Sequence, residues 1–190
     1  MEHSSKNDSI LKIALNLLGA CIISGIIIGS LYTVTKDTAI AKQVEIKQAS
    51  LKSMVADADE YTEIEGKHEW YTAKKNGQTI AYIVPAESRG YAGAIELLVA
   101  VSPDHKVMKY TILESKETPG LGDKAKEEPF ASQFVGKGAD ELDPNEAITK
   151  TNEKGKIQSI AGSTITSRAV TKAVYEAVEE VAAAFPEGGH

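Results

Sequence analysis

Apolar positions along the chain fall into blocks whose period changes from one block to the next. From Ile13 to Thr35 no residue carries a charge, and Ile, Leu, Gly and Ala dominate. A helix of that length spans about 34 Å, enough for a hydrocarbon core near 30 Å. Lys12 and Lys36 bracket the block, with Tyr32 at the position of an interfacial aromatic. Next, Ile40, Val44, Leu51 and Val55 recur at helical spacing among Lys, Gln and Glu, which predicts an amphipathic linker helix. The period then drops to two. His68–Lys74 and Thr79–Val84 read as strands joined through Asn76-Gly77, a strong hairpin turn. Ala94–Ser102 and Lys106–Glu114 form a second pair around Pro103-Asp104, and 147–150 with 157–160 a third hairpin. A short helix is expected near Glu127–Phe134 and a long one over Ser167–Phe185, ended by Pro186. The whole is an α+β architecture. It divides into an N-terminal tail (1–12), a transmembrane helix (13–35), a linker helix (36–64) and a globular domain (65–190).

The uncharged block is read as a retained anchor. A cleaved signal has an apolar region of only about 7–15 residues. Leu18-Gly19-Ala20-Cys21 has the form of a lipoprotein cleavage site, but strongly apolar sequence continues beyond Cys21. Glu2 and Asp8 offset Lys6 and Lys12 ahead of the block, while Lys36, Lys42 and Lys47 follow it. Charge counting therefore leaves the orientation open.

Composition narrows the chemistry. A formal charge of −6 on 190 residues disfavours a nucleic-acid partner, which requires a basic face. One cysteine excludes an internal disulfide framework, and the four histidines share no short ligand spacing, so no metal site is expected. No residue pattern suggests a catalytic base or an activated nucleophile.

Two segments are rich in chemical potential. Thr118-Pro119-Gly120-Leu121-Gly122 joins a rigid proline to two glycines, so its backbone can approach a flat ligand or a phosphate. Gly162-Ser163-Thr164-Ile165-Thr166-Ser167 crowds four hydroxyls between a strand and the long helix, where unpaired N–H groups favour an anion. One hydroxyl is explained by capping; four are not. Tyr91, between Gly90 and Gly93, marks a third place where the backbone bends.

With these motifs in view, the chain resembles a known family. Ala161-Gly162-Ser163-Thr164-Ile165-Thr166-Ser167-Arg168-Ala169-Val170 is similar to the signature of the FMN-binding G subunit of the Rnf electron-transport complex. The domain is shared with the C subunit of the sodium-translocating NADH:quinone reductase. Glu117-Thr118-Pro119-Gly120-Leu121-Gly122 resembles the second signature of these proteins, and the similarity extends over essentially the whole chain. It departs from the family at Gln158, Ala161 and Ser163, where relatives carry Asp, Ser and Ala, and at Ser115, often His.

The resemblance implies that 65–190 is an FMN-binding domain of β-hairpins with packed helices, with FMN joined by a phosphoester to Thr164. It implies cofactor contacts from Gly162, Ser163, Ile165, Thr166 and Ser167, from Glu117, Thr118, Gly120, Leu121 and Gly122, and from Tyr91. The implied function is a membrane-anchored electron carrier, not catalytic alone, in an ion-translocating ferredoxin:NAD oxidoreductase. Its partners are the other Rnf subunits and, for maturation, a flavin transferase. The soluble domain is expected outside the cytoplasm. Two alternatives are a component like the C subunit of the quinone reductase and an anchored extracytoplasmic binding module without a redox role.

Overall fold

A computed structural model describes residues 12–26, 29–30 and 49–186. The chain divides between Gln48 and Ala49 into two units. In the first, residues 12–26 and 29–30 are helical and almost wholly exposed. Among the described residues no helix is long and apolar enough to cross a membrane. The rest of the expected span, residues 27–28 and 31–35, and the linker from 36 to 48 lie outside the described residues.

The second unit is built on a five-stranded antiparallel meander, ordered as in the sequence: β1 (Glu60–Glu63), β2 (Tyr71–Lys75), β3 (Gln78–Arg89), β4 (Ala94–Val101) and β5 (Val107–Ser115). Asn76 and Gly77 turn β2 into β3 with φ of 50° and 78°, the positive values that a two-residue hairpin turn requires. In β4, Leu97, Val99 and Val101 face one side while Leu98 and Ala100 face the other, and all five are buried. A central strand covered on both faces loses its alternation, which explains the unbroken apolar run Leu97–Val101.

Each face has its own cover. The long helix (Thr164–Ala184) lays Val170, Ala173, Val174, Ala177, Val178 and Val181 on one face, with Phe130, Phe134 and Leu142 filling the margin. Each large apolar side chain removed from water is worth about 1.5–3 kcal/mol. The other face is covered by Leu51, Met54 and Val55, packed on Tyr71, Ala73, Ala81, Ile83 and Leu98.

Three expectations are corrected. The linker helix is expected over 36–64, its apolar spacing running to Val55, but helix ends at 54 and Glu60–Glu63 is a strand. β1 is polar and largely exposed, an edge strand with no apolar period of its own, and it exists through pairing with β2. The expected third hairpin is a short parallel pair, Ile148–Thr149 beside Ile157–Gln158. The chain loops round between them, and Ile157 N–H to Ala147 O and Ser159 N–H to Thr149 O, both 2.8 Å, fix the parallel direction. Finally, the long helix begins at Thr164, upstream of the expected Ser167. Thr164, Ile165 and Thr166 are β-branched and read poorly as helix, but tertiary hydrogen bonds in this turn outweigh propensity.

Candidate functional site

The helix start, the Thr118–Gly122 loop and the Tyr91 turn converge on one cleft of about 580 Å³. That volume lies in the range of about 300–1,000 Å³ typical of small-molecule sites. Tyr91 lines it from the β3–β4 turn; Glu117, Thr118, Leu121 and Gly122 line it from the loop; residues 162–166 line it from the helix start. Segments remote from one another in sequence thus form one site.

The loop is shaped by its own turn chemistry. Leu121 N–H donates to Thr118 O at 3.1 Å, with Pro119 and Gly120 between them and Gly120 at φ 75°. Proline followed by a positive-φ glycine is the pattern of a type II turn. Gly120 serves that turn and is absent from the cleft lining, while Leu121 and Gly122 are delivered to it.

At the helix start, Gly162 takes φ 78° and Ser163 is the N-cap residue, but no side chain caps the helix. The first N–H groups of a 21-residue helix are therefore left for another acceptor. The four hydroxyls have separate fates. Ser167 is fully buried; its Oγ donates to Ser163 O and accepts Ile160 N–H, both at 2.9 Å. Thr166 is 1% exposed and donates to Glu117 Oε2 at 2.5 Å. Ser163 is 7% exposed. Thr164 alone is partly exposed, on the cleft wall.

Of the residues expected at the site, all but Gly120 and Ser167 line the cleft, and Ser167 is an internal latch of the helix start. Glu117 lines the cleft, yet both carboxylate oxygens are engaged by the protein: Oε1 by Ala92 N–H at 2.9 Å and Oε2 by Thr166. Tyr91, Leu121 and Ile165 are exposed, largely apolar side chains at its mouth. The Ala92 N–H, which holds Glu117 without itself lining the cleft, is a contact that sequence reasoning missed, because a backbone N–H leaves no mark in residue type. Among the described residues no group of His, Cys, Asp and Glu could hold a metal ion.

Comparison with known proteins supplies the family. The G subunit of the proton-translocating ferredoxin:NAD(+) oxidoreductase complex of Clostridium ljungdahlii is 49% identical over 181 residues, 95% of this chain and 96% of its own. The chain belongs to this G-subunit family. The G subunit of the Na(+)-translocating ferredoxin:NAD(+) oxidoreductase complex of Acetobacterium woodii is 36% identical, covering 77% of this chain and 72% of its own. The FMN-binding domain family matches residues 90–179, which contain the whole cleft lining. The crystal structure of the C subunit of Na(+)-translocating NADH-quinone reductase from Parabacteroides distasonis aligns with a TM-score of 0.48 and 24% identity, over 59% of each chain.

FMN is the cofactor of this domain. The residues fit it. An uncapped helix start suits a phosphate, a partly exposed hydroxyl stands beside it, and three largely apolar side chains at the mouth suit a flat ring system.

Proposed function

We propose that this chain is the FMN-bearing electron-carrier subunit of a membrane complex, with the flavin joined through its phosphate to Thr164. The observation that carries the attachment is the unequal burial of the four hydroxyls. Thr166 and Ser167 are closed off and hydrogen-bonded, and Ser163 is nearly buried, whereas Thr164 is partly exposed at an uncapped helix start. A transferase needs a reachable hydroxyl, and the product phosphate needs N–H donors nearby. In the transfer, Thr164 Oγ gives up its proton and forms the new P–O bond. The pyrophosphate bond of a flavin dinucleotide breaks, and the nucleoside monophosphate leaves.

FMN supplies the electron-transfer chemistry when bound. The chain's own contribution is position: Tyr91, Leu121 and Ile165 would cover the ring, and the helix start would hold the phosphate. The two named relatives belong to complexes that act on ferredoxin and NAD(+) and translocate protons or Na(+). By that analogy this subunit passes electrons between redox partners of an ion-translocating ferredoxin:NAD oxidoreductase and is not catalytic alone. Residues 13–35 anchor it as a single membrane-spanning helix, with the domain on the extracytoplasmic side. The uncharged 23-residue block supports the anchor.

The test is the intact mass of the full chain made with and without a flavin transferase. Wild type is expected to gain one FMN and to keep its yellow colour on denaturation, and Thr164→Ala to fold colourless. Flavin retained covalently by Thr164→Ala moves the attachment to Ser163 or Thr166. Wild type that gains no mass favours the anchored binding module instead.

A further inference from the structure

Glu117 stands at the head of the Thr118–Gly122 loop, and its side chain turns inward, 8% exposed. Its two oxygens reach segments distant in sequence: Ala92 lies 25 residues before it and Thr166 lies 49 after. Two glycines make the space. A Cβ at Gly90 would lie 2.5 Å from Glu117 Oε1 and 2.7 Å from Ile95 Cδ1. One at Gly122 would lie 2.6 Å from Oε2 and 2.8 Å from Thr166 Oγ1. The turn so gripped is closed by Gly90 N–H to Gly93 O at 2.8 Å, and it carries Tyr91, which is 73% exposed at the cleft mouth.

Ala92 N–H donates to Oε1 and the Thr166 hydroxyl pairs with Oε2, so both oxygens of the carboxyl group are held by the protein. No ion pair to Glu117 occurs among the described residues. Burying a charge without a counter-ion is costly, and an apolar packing residue could fill such a space at lower cost. A carboxyl group here joins two remote segments, Ala92 and Thr166, which an apolar side chain of similar size does not do. Glu117 sits in the wall of the cleft, where a negative charge opposes the arrival of electrons.

We propose that Glu117 is the positioning residue of the flavin site: its carboxylate ties the Tyr91 turn to the helix start, and its negative charge holds the flavin's midpoint potential down. The proposal rests on FMN occupying this cleft.

Its two halves are read separately. In the full chain made without a flavin transferase, Glu117→Ala is expected to speed amide hydrogen exchange at Ala92 while Val99 in the sheet stays slow. Glu117→Gln is expected to keep Ala92 slow, because the amide oxygen still accepts. In the FMN-loaded chain, Glu117→Gln is expected to retain covalent flavin and shift its midpoint potential to more positive values. Thr166→Val removes a donor that partly neutralises the carboxylate, so it is expected to shift the potential the opposite way. A merely structural Glu117 leaves the Glu117→Gln potential at the wild-type value, and that result overturns the proposal. Unchanged exchange at Ala92 in Glu117→Ala overturns it as well. If the Glu117 variants do not fold, the Thr166→Val potential decides: a negative shift supports the proposal and no shift overturns it. Wild-type chain that binds no flavin overturns the FMN reading, while Ala92 exchange still reports on Glu117.

Discussion

The ring of Phe185 stacks on the ring of Tyr82, 4.2 Å between centroids and 7° from parallel. Phe185 is the residue that ends the long helix, and its carbonyl oxygen also lies 2.7 Å from His105 Nε2 in the β4–β5 turn. Trp70 completes the group with its ring centroid 6.4 Å away. Three strand or turn segments thus hold the far end of the helix whose first turn forms the cleft. Phe185→Ala removes both the stack and the packing on Trp70. We expect it to cost about 1–3 kcal/mol, measured by urea unfolding.

Gly122 and Gly120 lie in the same loop, and substitution separates their roles. Alanine at Gly122 places a Cβ against Glu117 Oε2 and Thr166 Oγ1 and forces the cleft wall to move. Alanine at Gly120 meets open space and bears only the strain of φ 75°, roughly 1 kcal/mol. Gly122→Ala is expected to lower the flavin-to-protein ratio and the melting temperature, and Gly120→Ala to keep near-wild-type flavin content. Absorbance spectra and thermal melts check both.

Tyr110 links acid–base behaviour to the fold. Its hydroxyl donates to the Ala125 carbonyl, and its ring meets Phe134 edge-on at 5.2 Å. Burial first, and the nearby Glu128 carboxylate second, push its pKa well above the ordinary value. The folded value exceeds the unfolded one, so this contribution is fully present below about pH 10, the unfolded pKa. It is lost as pH rises beyond that point and the unfolded chain ionises. Tyr110→Phe is expected to cost about 1 kcal/mol at pH 7 and to flatten the alkaline fall in stability. Urea titrations at pH 7 and above pH 10 test this.

Topology has its own test. With the domain outside the cytoplasm, external protease added to cells with a permeable wall is expected to remove the flavin domain. Protection there, with digestion in inside-out vesicles, reverses the orientation.

Much of the fold is legible in the sequence because its determinants are local. Asn76-Gly77 specifies a turn by backbone preference alone, and the helical period of Ala169 through Val181 states which face is buried. The Thr118-Pro119-Gly120 turn and the clustered hydroxyls likewise announce two of the three cleft segments. What the tertiary structure decided depends on distant partners. β1 is a strand because β2 lies beside it, and residues 148–149 run parallel to 157–158 because the intervening loop brings them round. Sequence presents four hydroxyls as near equals. Folding separates them by closing Thr166 onto Glu117 and Ser167 onto Ser163, leaving Thr164 partly exposed. Residue type encodes what a side chain is able to do; only the packing of remote segments decides which side chains remain free to do it.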